Sequence, residues 1–492
     1  MKYGLSIEQL TLIKKIISGY GEIEEAILFG SRAIDTYKEA SDVDIAIKGA
    51  NVNFSTAAKL KDQLEEETYI PFFFDIIAYN TIKSEELIKH IDTKGIVIYS
   101  KSLSEWKEYK FSELLVDEAI SYGIVQPGIH TLLNSIPIIR VNNIKNGHIH
   151  TDDILKVSSE IEDKYKRTRL IGGELLITVV GSIGECAIVP ENLRGWNVAR
   201  AVSVARIKEE FDVRFVKYSF ATEDLVFQMY GQTNDTVQPT LNLSSLKEIK
   251  FQLPPLAEQK AIAGVLSSLD DKIDLLHRQN KTLEAMAETL FRQWFVEEAD
   301  ESWETRPLGE LVTVKRGGSP RPIQNYLSDS GLHWLKISDA TKESSPFIFN
   351  IKEYIKEEGL NKTTFLKKGT LVLSNSATPG IPKILQIDTC IHDGWLHFPK
   401  SHFSNEFLYL LFKKIRPELI QQGNGSIFTN LKTDILKEYR IPVADDNSLK
   451  FFDDQVNPIF EKLLHNTTQI RTLEKLRDTL LPKLMNGEVR VE

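Results

Sequence analysis

Beyond residue 104 the sequence occurs twice, and this repeat constrains the fold more than any other feature. WKEYKFSELL (106–115) parallels WETRPLGELV (303–312), 197 residues further on. PIIRVNN (137–143) parallels HWLKISD (333–339), and GGELLITVVGSIG (172–184) parallels KGTLVLSNSATPG (368–380), both 196 residues on. LKEIKFQLP (246–254) with LKEYRIP (436–442), and TLEAMAETLF (282–291) with TLEKLRDTLL (472–481), stand 190 apart. Five matches in one order require that whatever the first copy folds into, the second folds into also. Each copy opens with about 140 residues of short β-like runs and Gly/Pro/Asn turns and closes with a long helical pattern.

The helical patterns have the period of a two-helix seam. Leu269, Ile273, Leu276, Asn280, Leu283, Ala287 and Leu290 step by alternating fours and threes, as do Val456, Ile459, Leu463, Asn466, Ile470, Leu473, Arg477, Leu480 and Leu484. A helix of about 40 residues is about 60 Å long. Either the two helices pair with each other or each packs on its own globular part; the length of the seams favours pairing. One Asn in each seam acts as a register mark. If the helices run antiparallel, Asn280 and Asn466 fall within a turn of each other.

At 492 residues the chain is too long for one core and divides into several domains. Its longest apolar run, YIPFFFDIIAY (69–79), is too short to span a membrane and contains Asp75. The first residues lack a basic stretch followed by an apolar one, and two cysteines, Cys186 and Cys390, give neither a disulfide framework nor a zinc site, so a cytoplasmic protein is expected. A net charge of −9 argues against a nucleic-acid coat over the whole surface, but residues 303–445 carry more Lys and Arg than Asp and Glu. Local patches, and not totals, neutralise phosphates.

Two variable units each followed by a long helix, the W…ELL and W…ELV openings, LPPLAEQKAIAGVLSSLDDKIDLL (253–276) and LEKLRDTLLPKLMNGEV (473–489) together resemble the specificity subunit of type I restriction-modification systems. The resemblance covers about residues 104 to 490. It implies two target-recognition domains reading the two halves of a split double-stranded DNA site, helices that act as spacer, two docked methyltransferase subunits, and restriction or motor subunits in the full assembly. It implies no cofactor for DNA recognition. A rigid spacer between two like readers measures the distance between half-sites, and two different readers recognise an asymmetric sequence.

Candidates for phosphate or base contact are Arg140, Lys164, Lys166, Arg167, Arg169, Arg194 and Arg200 in the first copy, and Lys315, Arg316, Arg321 and Lys336 in the second. GQTNDTVQPTLN (231–242) and QQGNGSIFTN (421–430) occupy equivalent places and read as loops, suited either to close groove approach or to ordinary turns. No motor motif and no nuclease carboxylate cluster is found in this part, which should bind and not catalyse.

The first hundred residues read differently. IEEAILFGSRA is an apolar strand ending in Gly30-Ser31, and SDVDIAIK is a second strand with Asp42 and Asp44 on one side. FFFDIIAY reads as a buried strand carrying Asp75. A sheet that brings the three carboxylates together would hold Mg²⁺ against a nucleoside triphosphate, with the backbone around Gly30, Ser31 and Arg32 on the phosphates. Gly-Ser, a spacing of about ten residues, Asp-x-Asp, a later Asp and a closing IDTKGIVIYSK (91–101) resemble the minimal nucleotidyltransferase family. The resemblance implies Asp42, Asp44 and Asp75 as catalytic and metal-binding residues. Ile34-Asp35 departs from it, since many members have Gly shortly after Gly-Ser.

The expected fold is therefore an α+β multidomain chain. It comprises a nucleotidyltransferase-like α/β domain (1–103), a target-recognition domain (104–254), a first long helix (255–300), a second α/β recognition domain (301–444) and a second long helix (445–492), the helices forming an antiparallel coiled coil. The leading function is DNA specificity. The alternative is a nucleotidyltransferase modifying a protein or nucleotide, as in toxin-antitoxin pairs, with the rest as targeting module.

Overall fold

Apolar residues at alternate positions build the sheet at the front of the chain. In the computed structural model, which describes residues 3–38, 41–101, 106–128, 135–232, 239–422 and 431–491, its strands are β1 (Glu25–Leu28), β2 (Val43–Lys48), β3 (Phe74–Ala78) and β4 (Ile96–Ser100) in the order β3-β2-β1-β4. β2 and β3 are parallel, and the helix Phe54–Glu66 makes the crossover that a parallel pair requires. The helix Ile7–Ser18 starts at Ser6, whose hydroxyl accepts from the Gln9 backbone N–H while the Gln9 side chain accepts from the Ser6 N–H. Ile13, Ile17, Leu28, Ile45, Leu60 and Phe74 form the core between helices and sheet. β3 is an edge strand and not the buried strand expected. Phe74, Ile76 and Ala78 face inward, whereas Phe73 and Asp75 are exposed, the alternation of a half-covered edge.

The repeat in the sequence is a repeat in hydrogen bonding. In the first copy one sheet runs Cys186–Ile188, Leu175–Thr178, Val202–Ile207, Leu115–Tyr122; in the second it runs Pro382–Leu385, Leu371–Ser374, Trp395–Ser401, Val312–Arg316, with Phe347–Ile348 added at one edge. A second sheet places Ser135–Ile139 between antiparallel Leu155–Ser158 and parallel Asn197–Val198. Its counterpart places Leu332–Leu335 between antiparallel Tyr354–Ile355 and parallel Thr389–Ile391. Registers agree as well: Ile138 lies opposite Asn197, and Trp334, 196 residues on, lies opposite Cys390.

One tight turn shows why both copies keep their small residues. Thr178 Oγ1 donates to the Ser182 carbonyl and accepts from the Glu185 N–H at 3.1 Å. Ser374 Oγ donates to the Thr378 carbonyl at 2.6 Å and accepts from the Ile381 N–H at 2.8 Å. Gly184 and Gly380 close the two turns at φ +85° and +78°, a conformation that a side chain disfavours. The loop stretches 231–242 and 421–430 lie largely outside the described residues.

The long helices are Leu256–Arg292 and Asp446–Met485. The chain forms two compact units, Met1–Asp270 with Lys475–Glu492 and Asp271–Glu474, so each helix contributes to both. In the first unit Ile262, Ala263 and Leu266 share a core with Phe111, Phe215, Phe251, Leu484 and Met485. In the second, Ala287 and Phe291 share one with Phe407, Phe452, Val456 and Leu463. Within that unit Ile273 and Leu276 pack on Ile470 and Leu473, an antiparallel pairing. Both readings of the seam therefore hold: helix pairs with helix at Ile273 and Leu276, and seam residues further along sit in globular cores. The two register residues meet, Asn466 Nδ2 donating to Asn280 Oδ1 at 3.0 Å and Asn280 Nδ2 to Thr467 Oγ1 at 3.3 Å.

Asn466 is fully buried and its own Oδ1 is unpaired among the described residues, which costs stability. Replacing Asn280 and Asn466 together by Leu should raise the denaturant midpoint of the second unit by the equivalent of about 1–2 kcal/mol. The same variant should let the helices slip, read as broadened helix-pair resonances or mixed crosslinks between cysteines placed along the seam. A fall in midpoint would refute the assignment of Asn as a register device bought with stability.

Candidate functional site

The two copies each fold around a cleft at the same place, beside the parallel strand pair. The first has a volume of about 720 Å³ and includes Ile124, Arg140, Asn142, Lys145, Ser182 and Arg200 in its lining. The second, of about 800 Å³, includes Arg321, Trp334, Lys336, Ser338, Glu353 and His392. Arg140 and Lys336 are equivalent residues. The Arg140 backbone N–H donates to Asn143 Oδ1 at 2.9 Å, and the Lys336 N–H to Asp339 Oδ2 at 3.0 Å, which turns both chains out of the strand in the same way.

Of the basic residues singled out from the sequence, Arg140 and Arg200 line the first cleft, and Arg321 and Lys336 the second. Arg140 donates to Asp153 Oδ2 at 2.8 Å, and Lys336 pairs with Glu353. Arg316 stands beside the second cleft, its Nε and Nη2 donating to the Asp393 carbonyl at 3.1 and 2.8 Å. Lys164, Lys166, Arg167, Arg194 and Lys315 are exposed and line neither cleft, with Lys166 on Asp163 and Arg194 on Glu191.

Arg169 departs from the expectation of a DNA contact. It forks onto Glu162, whose carboxylate is 2% exposed, and also reaches Asp163 at 3.1 Å. The Arg169 guanidinium, followed by Asn197, holds the Glu162 carboxyl below the usual carboxylate range in spite of burial. A buried acid needs this partner, so Arg169 holds Glu162 in place. Glu353, His392 and Asp393 were missed in the sequence, because only the fold brings them beside Lys336, Trp334 and Arg321. Asp393 is held below the ordinary range, first by the Ser319 hydroxyl and also by His392 and Arg321, while burial lowers His392.

In the front domain the pairing of β2 with β3 sets Asp44 directly beside Asp75, and Asp42 is the exposed residue just before β2. Burial raises the Asp44 pKa, and the charges of Asp75 and Asp42 raise it further. Gly30, at φ +71°, backs onto this carboxylate: a Cβ there would sit 2.2 Å from Asp44 Oδ2. Arg32, expected at the nucleotide, is 1% exposed and committed elsewhere. Its Nε donates to the Asp42 carbonyl at 2.9 Å, Nη2 to Ser41 at 2.6 Å and Nη1 to Tyr3 at 3.0 Å, with Phe72 4.3 Å from the guanidinium. Arg32 thus anchors the segment that carries Asp42. Asp35 takes the left-handed conformation, φ +58°, in the stretch where the resemblance led us to expect Gly. Short polar residues tolerate that conformation, so the turn survives without Gly.

No three Asp, Glu, His or Cys side chains among the described residues stand close enough to enclose a metal, so the closed three-carboxylate clamp expected is not formed. Mg²⁺ commonly takes only one or two carboxylates, with phosphate oxygens and water completing the shell, so the donors present still suit it.

A family model described as the type I restriction modification DNA specificity domain matches residues 126–285 and 300–473, and one for the polymerase beta nucleotidyltransferase domain matches residues 12–104. The chain belongs to the type I DNA specificity family. Among its relatives is the type I restriction enzyme MjaIX specificity subunit of Methanocaldococcus jannaschii, 27% identical over 343 residues, 65% of this chain and 78% of that one. The HindI specificity subunit of Haemophilus influenzae is 21% identical over 479 residues, 79% of this chain and all of the relative. The solved type I restriction-modification S subunit from M. genitalium shares the fold with a TM-score of 0.53, 16% identity, and coverage of 77% of this chain and 96% of that one. This specificity chain thus carries a nucleotidyltransferase domain ahead of its two repeats. No helix among its described residues is long and apolar enough to cross a membrane.

The raised Asp44 pKa has a defined sign. The fold disfavours the ionised carboxylate, so stability is highest below the ordinary Asp range and is lost as pH rises through the raised pKa. Asp44→Asn should therefore raise the melting midpoint of the front domain by a few degrees at neutral pH and not at pH 3. Gly30→Ala should lower it at both, because its Cβ meets Asp44 and its backbone is left-handed. Thermal scans of the full chain at the two pH values read both effects.

Proposed function

We propose that this chain is the DNA-reading subunit of a type I restriction-modification assembly. Each cleft reads one half of a split, asymmetric duplex site, the long helices set the distance between half-sites and dock two methyltransferase subunits, and restriction or motor subunits complete the complex. The observation that carries this reading is the pair of clefts built on one hydrogen-bonded frame but lined by different side chains. Like frames suit a duplex whose two halves present like backbones, and different linings suit different bases. We divide the chain accordingly into residues 1–103, 104–254, 255–300, 301–444 and 445–492.

The front domain is read as an appended nucleotidyltransferase domain. Asp42, Asp44 and Asp75 would hold a divalent cation such as Mg²⁺, and the backbone at Gly30 and Ser31 the phosphates of a nucleoside triphosphate. The cation would supply charge neutralisation at a transferred phosphate. The protein's own part is to set Asp44 beside Asp75, to let the Asp44 carboxylate approach the backbone at Gly30 and to fix Asp42 through Arg32. DNA specificity ranks above a primary nucleotidyltransferase function because the specificity repeats make up most of the chain.

Binding of the full chain to a randomised duplex library should enrich a bipartite sequence, and affinity should fall steeply with salt. Enrichment of no sequence would overturn the reading. Seven residues inserted at matched points of both helices lengthen each by about 10.5 Å, or about three base pairs of duplex. The enriched spacer should grow by that amount, with both half-sites unchanged. In the reconstituted methylating complex, Asp42→Asn with Asp44→Asn should leave site-specific methylation unaltered; its loss in a folded complex would favour the enzyme-first alternative.

A further inference from the structure

At one matched position, in the first cleft and next to a lining residue of the second, the two copies carry opposite charges. The Val202 N–H donates to the Ala199 carbonyl at 2.9 Å, and the Trp395 N–H donates to the His392 carbonyl at 3.0 Å, the same turn in both copies. The next residue is Arg200 in the first copy and Asp393 in the second. Arg200 is exposed, lines its cleft and has no side-chain partner among the described residues. Asp393 instead gathers the segment on the far side of its cleft. Its Oδ1 accepts from Ser319 Oγ at 2.7 Å, its Oδ2 from Arg321 Nη2 at 3.2 Å, and its carbonyl from Arg316.

The Asp393–Arg321 pair is a poor stabiliser, because the Arg321 side chain is 79% exposed and such pairs contribute little. It is better suited to aiming. A carboxylate bonded to one end of a guanidinium restrains where it stands and leaves its other N–H donors unused by the described residues. The same carboxylate cancels much of the attraction to a phosphate, while hydrogen bonding to a base edge survives. Guanine presents two adjacent acceptors, O6 and N7, to which a forked donor bonds in pairs.

We propose that each cleft reads a guanine with an arginine delivered from a different place: Arg200 directly in the first cleft, and Arg321 in the second with Asp393 as its positioning residue. This rests on the DNA-reading function proposed above. The consequence is that two half-sites are distinguished by where the arginine stands on a shared frame, and not by a different fold.

The test compares full-length variants on the duplex enriched by the wild type and on random duplex. Arg200→Ala should abolish a guanine preference in one half-site only, with affinity for the enriched duplex falling about 10- to 100-fold and random-duplex affinity nearly unchanged. Arg321→Ala should do the same in the other half-site. Asp393→Asn should relax the same base pair as Arg321→Ala while holding or raising random-duplex affinity, and Asp393→Glu should restore part of the preference. Equal weakening on all sequences, with a salt slope smaller by about one, would make these arginines phosphate contacts and overturn the assignment. So would relaxation by Asp393→Asn without any by Arg321→Ala, or preferences that survive both arginine variants. Arg200→Lys and Arg321→Lys, which keep charge but lose the fork, should also relax the guanine preference, and they guard against a folding defect in the alanine variants. A wild type with no preference at all would instead overturn the DNA-reading function itself.

Discussion

The hydrogen bond from Asn466 to Asn280 selects one antiparallel register from the several that an apolar seam would accept. Much else depends on that choice. The seam residues beyond it do not simply pair with each other; they enter globular cores, Leu266 and Leu484 in one unit and Ala287 and Val456 in the other. A slip of one turn would carry each of these side chains about 5.4 Å along its helix and out of its pocket. A polar pair that is weak on its own account is therefore backed by two cores, and the cores in turn hold the polar pair in place.

Most of the architecture was legible in the sequence because duplication supplies an internal comparison. The strands Leu175–Thr178 and Leu371–Ser374 have bounds 196 residues apart, the spacing at which their sequences align. The approach of Asn280 to Asn466 followed from period once the helices were taken to run antiparallel. What was not legible was which cations the fold already engages, even with partners only seven to ten residues away. Arg169 resembled its neighbours until Glu162 was seen to be buried beneath it, and Arg32 resembled a phosphate ligand until its donors were found on the Ser41 and Asp42 carbonyls. A sequence gives the number of cations; only the fold says which are already neutralised. Edge position was likewise hidden, and it is why Asp75 is exposed on a strand whose apolar run suggested full burial.

The front domain shows how a carboxylate site keeps a cost in the fold. Asp44 lies beside Asp75, with Asp42 near enough to add to the charge, and the Arg32 charge offsets only part of this, its hydrogen bonds going to backbone carbonyls. A sheet selected only for stability would replace one of the acids. Gly30 makes the close approach of the Asp44 carboxylate possible, since any side chain there would meet it.

The division of each long helix between two units bears on how the chain is made. The core that contains Phe111 and Phe215 also contains Leu484 and Met485, which leave the ribosome only after the whole second repeat. At about 5–20 residues per second, the roughly 200 residues between the two helices' far ends take on the order of 10–40 s to synthesise. During that interval the first repeat exposes apolar surface that nothing yet covers, so this chain cannot complete its units in the order in which it is translated.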